Sequence, residues 1–158
     1  MGLVTMEANN GKGNNENRDM WETPKELWDI LNNQYKFSFD CCANRENSKC
    51  SNYATDFKLI NQIVLTAWMN PPFSKAYEMF NHFFKSVKSG VAIYRCDNLE
   101  TKIWQDVIFP NATWIFIPGG RVCYEGMKGS GSRFPSALIG FNAPKPKGLN
   151  GTILKILK

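Results

Sequence analysis

The feature that most constrains the fold is a pair of adjacent prolines, Pro71 and Pro72, between an apolar run and a helical pattern. Proline has no backbone N–H and a fixed φ angle, so two in succession end a regular strand or helix. The preceding run, 63–69, is short and apolar, which predicts a buried strand. Apolar residues then recur at helical spacing over 75–89. Ser74 is the expected N-cap of this helix and Gly90 its expected stop.

The same alternation of strand and helix patterns extends along most of the chain. Thr23-Pro24-Lys25-Glu26 has the form of a capping box, with Thr23 as N-cap and Pro24 in the first helical position. A second helix pattern, 101–108, ends before Pro110. Further strands are predicted at 37–39, 91–94, 112–118 and 136–141. This order predicts an α/β fold with a mostly parallel sheet, closed by an antiparallel pair formed by the last two strands.

Length and composition predict one domain and are compatible with a polyanionic partner. With 158 residues and 43% hydrophobic residues, the chain can form one core over 21–158, after an Asn- and Gly-rich arm, 1–20, that is expected to be disordered. The net charge of +5 suits nucleic acid, although a solvated basic surface accounts for it equally well.

Cysteine usage and hydropathy indicate a cytoplasmic protein with neither a metal site nor a membrane span. The five cysteines include no CxxC pair, so we expect reduced thiols, no metal site and a cytoplasmic location. No apolar run approaches the ~20 residues of a membrane span. The oligomeric state is left open.

Three predicted strands end in polar residues. Asp40, Asn70 and the segment 95–97 each follow a strand. Because ligands bind at the carboxyl ends of strands in open α/β sheets, we expect these residues to meet in one crevice.

The segment Asn70-Pro71-Pro72-Phe73 has the chemistry to hold an amine. The Asn70 side-chain oxygen and the Pro71 carbonyl can accept both hydrogens of an –NH2 group on a planar base. This localises the nitrogen lone pair for attack on an electrophilic methyl group. Phe73 offers a ring for stacking, worth ~1–3 kcal/mol per base. The alternative is a turn stiffened by proline.

Several segments together resemble the phage-encoded DNA N-6-adenine methyltransferases, a compact Dam-like family. They are Trp21–Pro24, Phe39–Asp40 with Ala43, Glu46–Cys50, Trp68–Phe73, Gly120–Arg121 and Phe134–Leu138. The resemblance implies a Rossmann-like methyltransferase fold, S-adenosylmethionine as methyl donor and adenine N6 in DNA as acceptor. The catalytic residues would be Asn70, Pro71, Pro72 and Phe73.

The resemblance also implies a set of cofactor-binding residues. These are Trp21, Glu22, Thr23, Pro24, Asp40, Cys42, Ala43, Asp56 and Asn70. Thr23 and Pro24 also fit plain helix capping, and Asp40 and Asp56 also fit turn residues. The chain departs from the larger superfamily at Cys41-Cys42-Ala43, where a glycine-rich loop is expected.

Cations near the predicted crevice are candidates for DNA contact. Arg95 would contact a phosphate or the flipped nucleotide, or would instead pair with Asp97. The Gly-rich loop 119–135 carries Arg121, Lys128 and Arg133, which suit phosphate contact, although a flexible hairpin fits equally well. The single histidine, His82, is interpreted as a surface residue.

Two rival functions are compatible with the sequence. A glutamine-directed protein methyltransferase would use the same loop on a side-chain amide, but the basic composition disfavours it. A non-catalytic protein that binds DNA or S-adenosylmethionine is the second rival, suggested by the missing glycine loop.

Overall fold

The computed structural model describes residues 21–120, 122–124 and 134–156. The arm 1–20, predicted to be disordered, and most of the basic loop lie outside these residues. Six strands form one sheet in the described part of the chain. They are β1 (Phe39–Asp40), β2 (Ile63–Met69), β3 (Val87–Arg95), β4 (Trp114–Pro118), β5 (Ser136–Phe141) and β6 (Gly151–Ile156).

Helices cover both faces of the sheet. They are α1 (Lys25–Tyr35), α2 (Ala76–Ser86), and a π-helical segment (Ile103–Ile108) that continues into α3 (Phe109–Asn111). Side chains of β2 alternate between two hydrophobic clusters, as strand geometry requires. Ala67 and Met69 join the cluster that contains α2, whereas Trp68 joins the cluster that contains α1. The result is a three-layer arrangement with a core on each side of the sheet.

The strand order is β1-β2-β3-β5-β4-β6. Strands β1, β2 and β3 are parallel, which confirms the α/β class, and the predicted antiparallel pairing of β4 with β5 is also confirmed. The prediction of a sheet closed by that pair is wrong. Within the described residues the sheet is open, because β5 lies between β3 and β4 and β6 adds a further antiparallel edge.

Gly90 does not end a helix. Helix α2 ends at Ser86 and the chain passes directly into β3, so Gly90 is a buried strand residue. A Cβ atom at this position would lie 2.6 Å from the backbone oxygen of Ala67 on β2. Close approach of the two strands therefore explains this glycine.

The predicted helix caps are also wrong. Pro24 is the N-cap of α1, and its carbonyl accepts a hydrogen bond from the Trp28 N–H at 3.0 Å, with no side-chain cap. Lys75, rather than Ser74, is the N-cap of α2, again with no side-chain cap. The Thr23 side chain has a different partner, which lies at the end of β2.

Candidate active site

The three parallel strands end at one edge of the sheet. In their register Asp40 pairs with Trp68 and Met69 pairs with Ala92, so the chain after each strand emerges on the same side. A cleft with an empty volume of about 350 Å³ lies at this edge. Its lining residues are Trp21, Glu22, Thr23, Asp40, Cys42, Asn47, Lys49, Trp68 and Asn70.

Most of the predicted cofactor-binding residues line this cleft. The ones that do are Trp21, Glu22, Thr23, Asp40, Cys42 and Asn70. Pro24 begins α1 instead, and the Ala43 N–H donates to the Ala54 carbonyl at 3.1 Å. Asp56 is exposed and precedes the short 3-10 turn Phe57–Leu59, outside the lining of the cleft.

Two polar lining residues, Asn47 and Lys49, were not among the site residues predicted from the sequence. The signal for them was the matching segment Glu46–Cys50, whose individual roles the pattern does not reveal. The Lys49 ammonium lies 3.8 Å from the Glu22 carboxylate, and both side chains belong to the cleft. The cleft therefore presents charges of both signs.

Asp40 is a buried carboxylate at the end of β1. It accepts hydrogen bonds from the backbone N–H groups of Lys49, at 2.9 Å, and Cys42, at 3.4 Å. Burial raises the pKa of Asp40 to about 6, against the opposing effect of these hydrogen bonds and of the Lys49 charge. A cation brought into the cleft would stabilise the ionised form of this buried carboxylate.

Asn70 is held by its amide nitrogen. Nδ2 donates to the Trp21 carbonyl at 3.3 Å and to Thr23 Oγ1 at 3.2 Å. Because a carbonyl oxygen only accepts, the nitrogen side of the amide must face Trp21. Among the described residues no donor contacts the Asn70 Oδ1 atom, so this oxygen is available as an acceptor.

The two prolines after Asn70 differ in their carbonyl partners. The Pro72 carbonyl accepts from the Lys75 N–H at 3.0 Å, which begins the short helical turn Phe73–Lys75. No donor to the Pro71 carbonyl is found in the described segments. Asn70 and Pro71 thus supply two acceptor oxygens from adjacent residues.

Phe73 sits in a cluster of aromatic rings. It is half-buried, and its ring centroid lies 5.4–6.3 Å from four others. These belong to Trp21, Tyr94, Tyr124 and Phe134. Edge-to-face and tilted contacts of this kind fix the plane of the ring before any ligand arrives.

Two alternatives were predicted for Arg95, contact with DNA or a local ion pair with Asp97, and the structure has the ion pair. Its Nε and Nη2 atoms donate to the Asp97 carboxylate at 2.8 and 2.6 Å, and this pairing raises the pKa of Arg95. The guanidinium lies over the Phe134 ring, 4.4 Å from its centroid. Both charges line a second pocket, of about 500 Å³, rather than the Asp40–Asn70 cleft. The Phe73 ring centroid lies 6.1 Å from that of Trp21, which lines the first cleft, and 6.0 Å from the Arg95 guanidinium carbon, which belongs to the second pocket.

Arg121, Lys128 and Arg133 lie outside the described residues. His82 is half-buried, with Nε2 2.6 Å from the Ile60 carbonyl, which makes it a structural residue of α2. In the described ranges, no three His, Cys, Asp or Glu side chains come together as metal ligands, and no helix is long and apolar enough to span a membrane.

Comparison with known proteins yields one family. A sequence model described as DNA N-6-adenine-methyltransferase (Dam) matches residues 10–133, more than three quarters of the chain. No curated protein matches the chain.

Proposed function

The chain belongs to the DNA N-6-adenine-methyltransferase (Dam) family, and from this premise we propose how its residues carry out the reaction. That reaction is S-adenosylmethionine-dependent methylation of the N6 amine of adenine in DNA. The observation that supports our assignment of roles is the anchored amide of Asn70, whose oxygen is left as an acceptor beside the Pro71 carbonyl.

We assign the Asp40 cleft to the methyl donor. The donor carries an ammonium, a carboxylate and a ribose, and when bound it supplies an electrophilic methyl group. The Asp40 carboxylate suits the ammonium, the Lys49 ammonium suits the carboxylate, and Glu22 is a hydroxyl acceptor. The residues present therefore fit this cofactor, with Cys41-Cys42-Ala43 in place of a glycine-rich loop.

Asn70 and Pro71 then hold the acceptor amine. The Asn70 Oδ1 atom and the Pro71 carbonyl each accept one N6 hydrogen, which localises the nitrogen lone pair toward the cleft. No basic side chain is needed before methyl transfer, because the amine loses its proton only after the new bond has formed. Preorganised acceptors of this kind cost no reorganisation at the moment of reaction.

Phe73 provides the stacking surface for the target base. Extruding adenine from the duplex costs a few kcal/mol. Stacking on an aromatic ring returns about 1–3 kcal/mol per base. The ring contacts around Phe73 support this role, because a fixed ring loses little freedom when the base arrives.

DNA binding is assigned to the basic loop more than to Arg95. Arg95 is already paired with Asp97, so a phosphate would have to displace a bidentate carboxylate. Phosphate contact by the cations of the loop 119–135 remains a prediction from the sequence.

We propose as well a Rossmann-like methyltransferase domain over 21–158, encoded by a phage and acting in the host cytoplasm. The motif resemblance is the support for these finer statements, and the parallel strands β1–β3 are compatible with the fold.

Calorimetry with S-adenosylmethionine, followed by transfer of a labelled methyl group to unmethylated DNA, tests the function. We expect saturable cofactor binding and N6-methyladenine as the labelled nucleoside. Label in N4-methylcytosine or in protein glutamine would contradict the adenine assignment. Cofactor binding without transfer would instead indicate the non-catalytic rival. The family match favours neither rival.

A further inference from the structure

We propose that Thr23 is a positioning residue for Asn70, which holds the amide oxygen toward the target amine. The inference rests on the proposed role of Asn70 in accepting an N6 hydrogen. Thr23 is 1% exposed, and its hydroxyl does not cap α1 although the sequence pattern predicted Thr23 as the N-cap. The hydroxyl oxygen instead accepts from the Asn70 amide nitrogen at 3.2 Å.

Two anchors are needed because the amide has two N–H hydrogens. The Trp21 carbonyl takes one of them, at 3.3 Å, and decides which side of the amide faces the segment before α1. Thr23 Oγ1 is the second acceptor for the same nitrogen. With two acceptors on this nitrogen, the plane of the amide is fixed as well as its orientation, so Oδ1 points in one direction only.

Loss of the second anchor has a specific chemical consequence. An amide held only by the Trp21 carbonyl can turn about its last side-chain torsion, which is broad for asparagine. In turned states Oδ1 leaves the direction of the target amine, and an N–H donor faces the hydrogens that need acceptors. Transition-state stabilisation then falls, whereas the groups that bind the donor, Asp40 and Lys49, are unaffected.

The matched variants are Thr23→Val and Thr23→Ser. Valine keeps the volume of threonine but cannot accept, whereas serine keeps the hydroxyl. One hydrogen bond contributes about 1 kcal/mol, which corresponds to about fivefold in rate, so we expect Thr23→Val to lower kcat about fivefold at saturating cofactor and DNA. Thr23→Ser is expected to recover most of that loss. In both variants the Kd for S-adenosylmethionine, measured by calorimetry, should stay within about threefold of wild type. A threefold change is smaller than the tenfold change in Kd that corresponds to 1.4 kcal/mol.

Thr113→Val is the control variant. Like Thr23→Val, this variant removes a threonine hydroxyl that accepts a hydrogen bond. Here the donor is the Asn142 backbone N–H, at 2.8 Å, and Thr113 lies outside the lining of the cleft. It should lower thermal stability without lowering kcat.

The outcomes separate this inference from the proposed function. If Asn70→Ala is inactive but Thr23→Val has a wild-type kcat, the positioning role is wrong and the catalytic loop stands. A Thr23→Ser variant as slow as Thr23→Val would also refute it. So would a Thr23→Val loss confined to the cofactor Kd, since Thr23 would then be only a cofactor contact. If Asn70→Ala is active, the proposed role of Asn70, on which this inference rests, fails.

Discussion

The affinity for S-adenosylmethionine is expected to fall about tenfold between pH 7 and pH 5, because binding requires ionised Asp40. Burial raises the pKa of this carboxyl to about 6 in the free protein. Its ionised fraction is then about nine tenths at pH 7, half at pH 6 and one tenth at pH 5. The donor's α-amino group, with an ordinary pKa of ~7.7–8.0, stays protonated over this window. A Kd that scales with the ionised fraction therefore rises about tenfold.

Folding stability has the opposite pH dependence in the absence of cofactor. A carboxyl whose pKa is raised in the fold binds more protons when folded than when unfolded, so stability falls as pH rises through the interval. The interval runs from the ordinary value of 3.8 to about 6. A shift of this size corresponds to about 3 kcal/mol. Above about pH 7, where the carboxyl is ionised in both states, the contribution of Asp40 is constant.

Calorimetric titrations at pH 5, 6 and 7, with denaturant unfolding of the free protein, measure both effects. Asp40→Asn should bind weakly at pH 7 and lose both pH dependences. Asp29→Asn is the control, since Asp29 is an exposed residue of α1 paired with Lys25. A wild-type Kd that does not change with pH, or a folded Asp40→Asn variant with wild-type affinity, would refute the role of Asp40.

Two further predictions concern DNA binding and the sheet. Each cation that contacts phosphate adds about 0.9 to the slope of log affinity against log salt, so serine at the three loop cations should flatten the slope by about two to three units. These cations are Arg121, Lys128 and Arg133. The control replaces the tail lysines Lys145, Lys147 and Lys155. An equal loss of slope in both variants, or no loss in the loop variant, would contradict the loop as the DNA contact. Gly140→Ala should destabilise the protein by about 1–3 kcal/mol or more, because the new Cβ would lie 2.0 Å from the Trp114 side chain. Unchanged denaturant unfolding would show that the Trp114 side chain moves at no cost.

The parts of the fold that the sequence predicted are those with strong local signals. The apolar run of β2 is followed at once by the two prolines, and Ile63–Met69 has the predicted bounds. Strand β5, Ser136–Phe141, was also predicted at its observed bounds. In both, burial and strand propensity agree, and no neighbouring element competes for the same residues.

The errors arise where tertiary contacts outweigh a local pattern. Gly90 looks like a helix stop, but its lack of a side chain is needed for the approach to Ala67 on a strand distant in sequence. The tail at Gly151–Ile156 has only a short apolar pattern, and it becomes a strand because β4 offers an unpaired edge. Neither partner is visible from the residues alone.

The same difference between local signals and tertiary contacts applies to the candidate site. Asp40, Asn70 and the segment 95–97 were predicted to meet because parallel strands end at one edge. Asp40 and Asn70 line the cleft, whereas Arg95 and Asp97 line the second pocket. The capping pattern around Thr23 concealed its contact with Asn70, since a threonine before a helix satisfies the local rule equally well. Asp56 was predicted to bind the cofactor, but its neighbour Phe57 is buried in the core and Asp56 itself is exposed, away from the cleft.

The measurement that tests the account most directly is single-turnover methyl transfer by Asn70→Ala, with N6-methyladenine quantified by mass spectrometry. Circular dichroism and calorimetry with S-adenosylmethionine should verify that this variant is folded and binds the cofactor. We expect its transfer to be lost, by at least the 10²–10³-fold typical of removing one preorganised hydrogen-bonding group from an active site. A folded, cofactor-binding Asn70→Ala variant with activity within a few-fold of wild type would contradict the account.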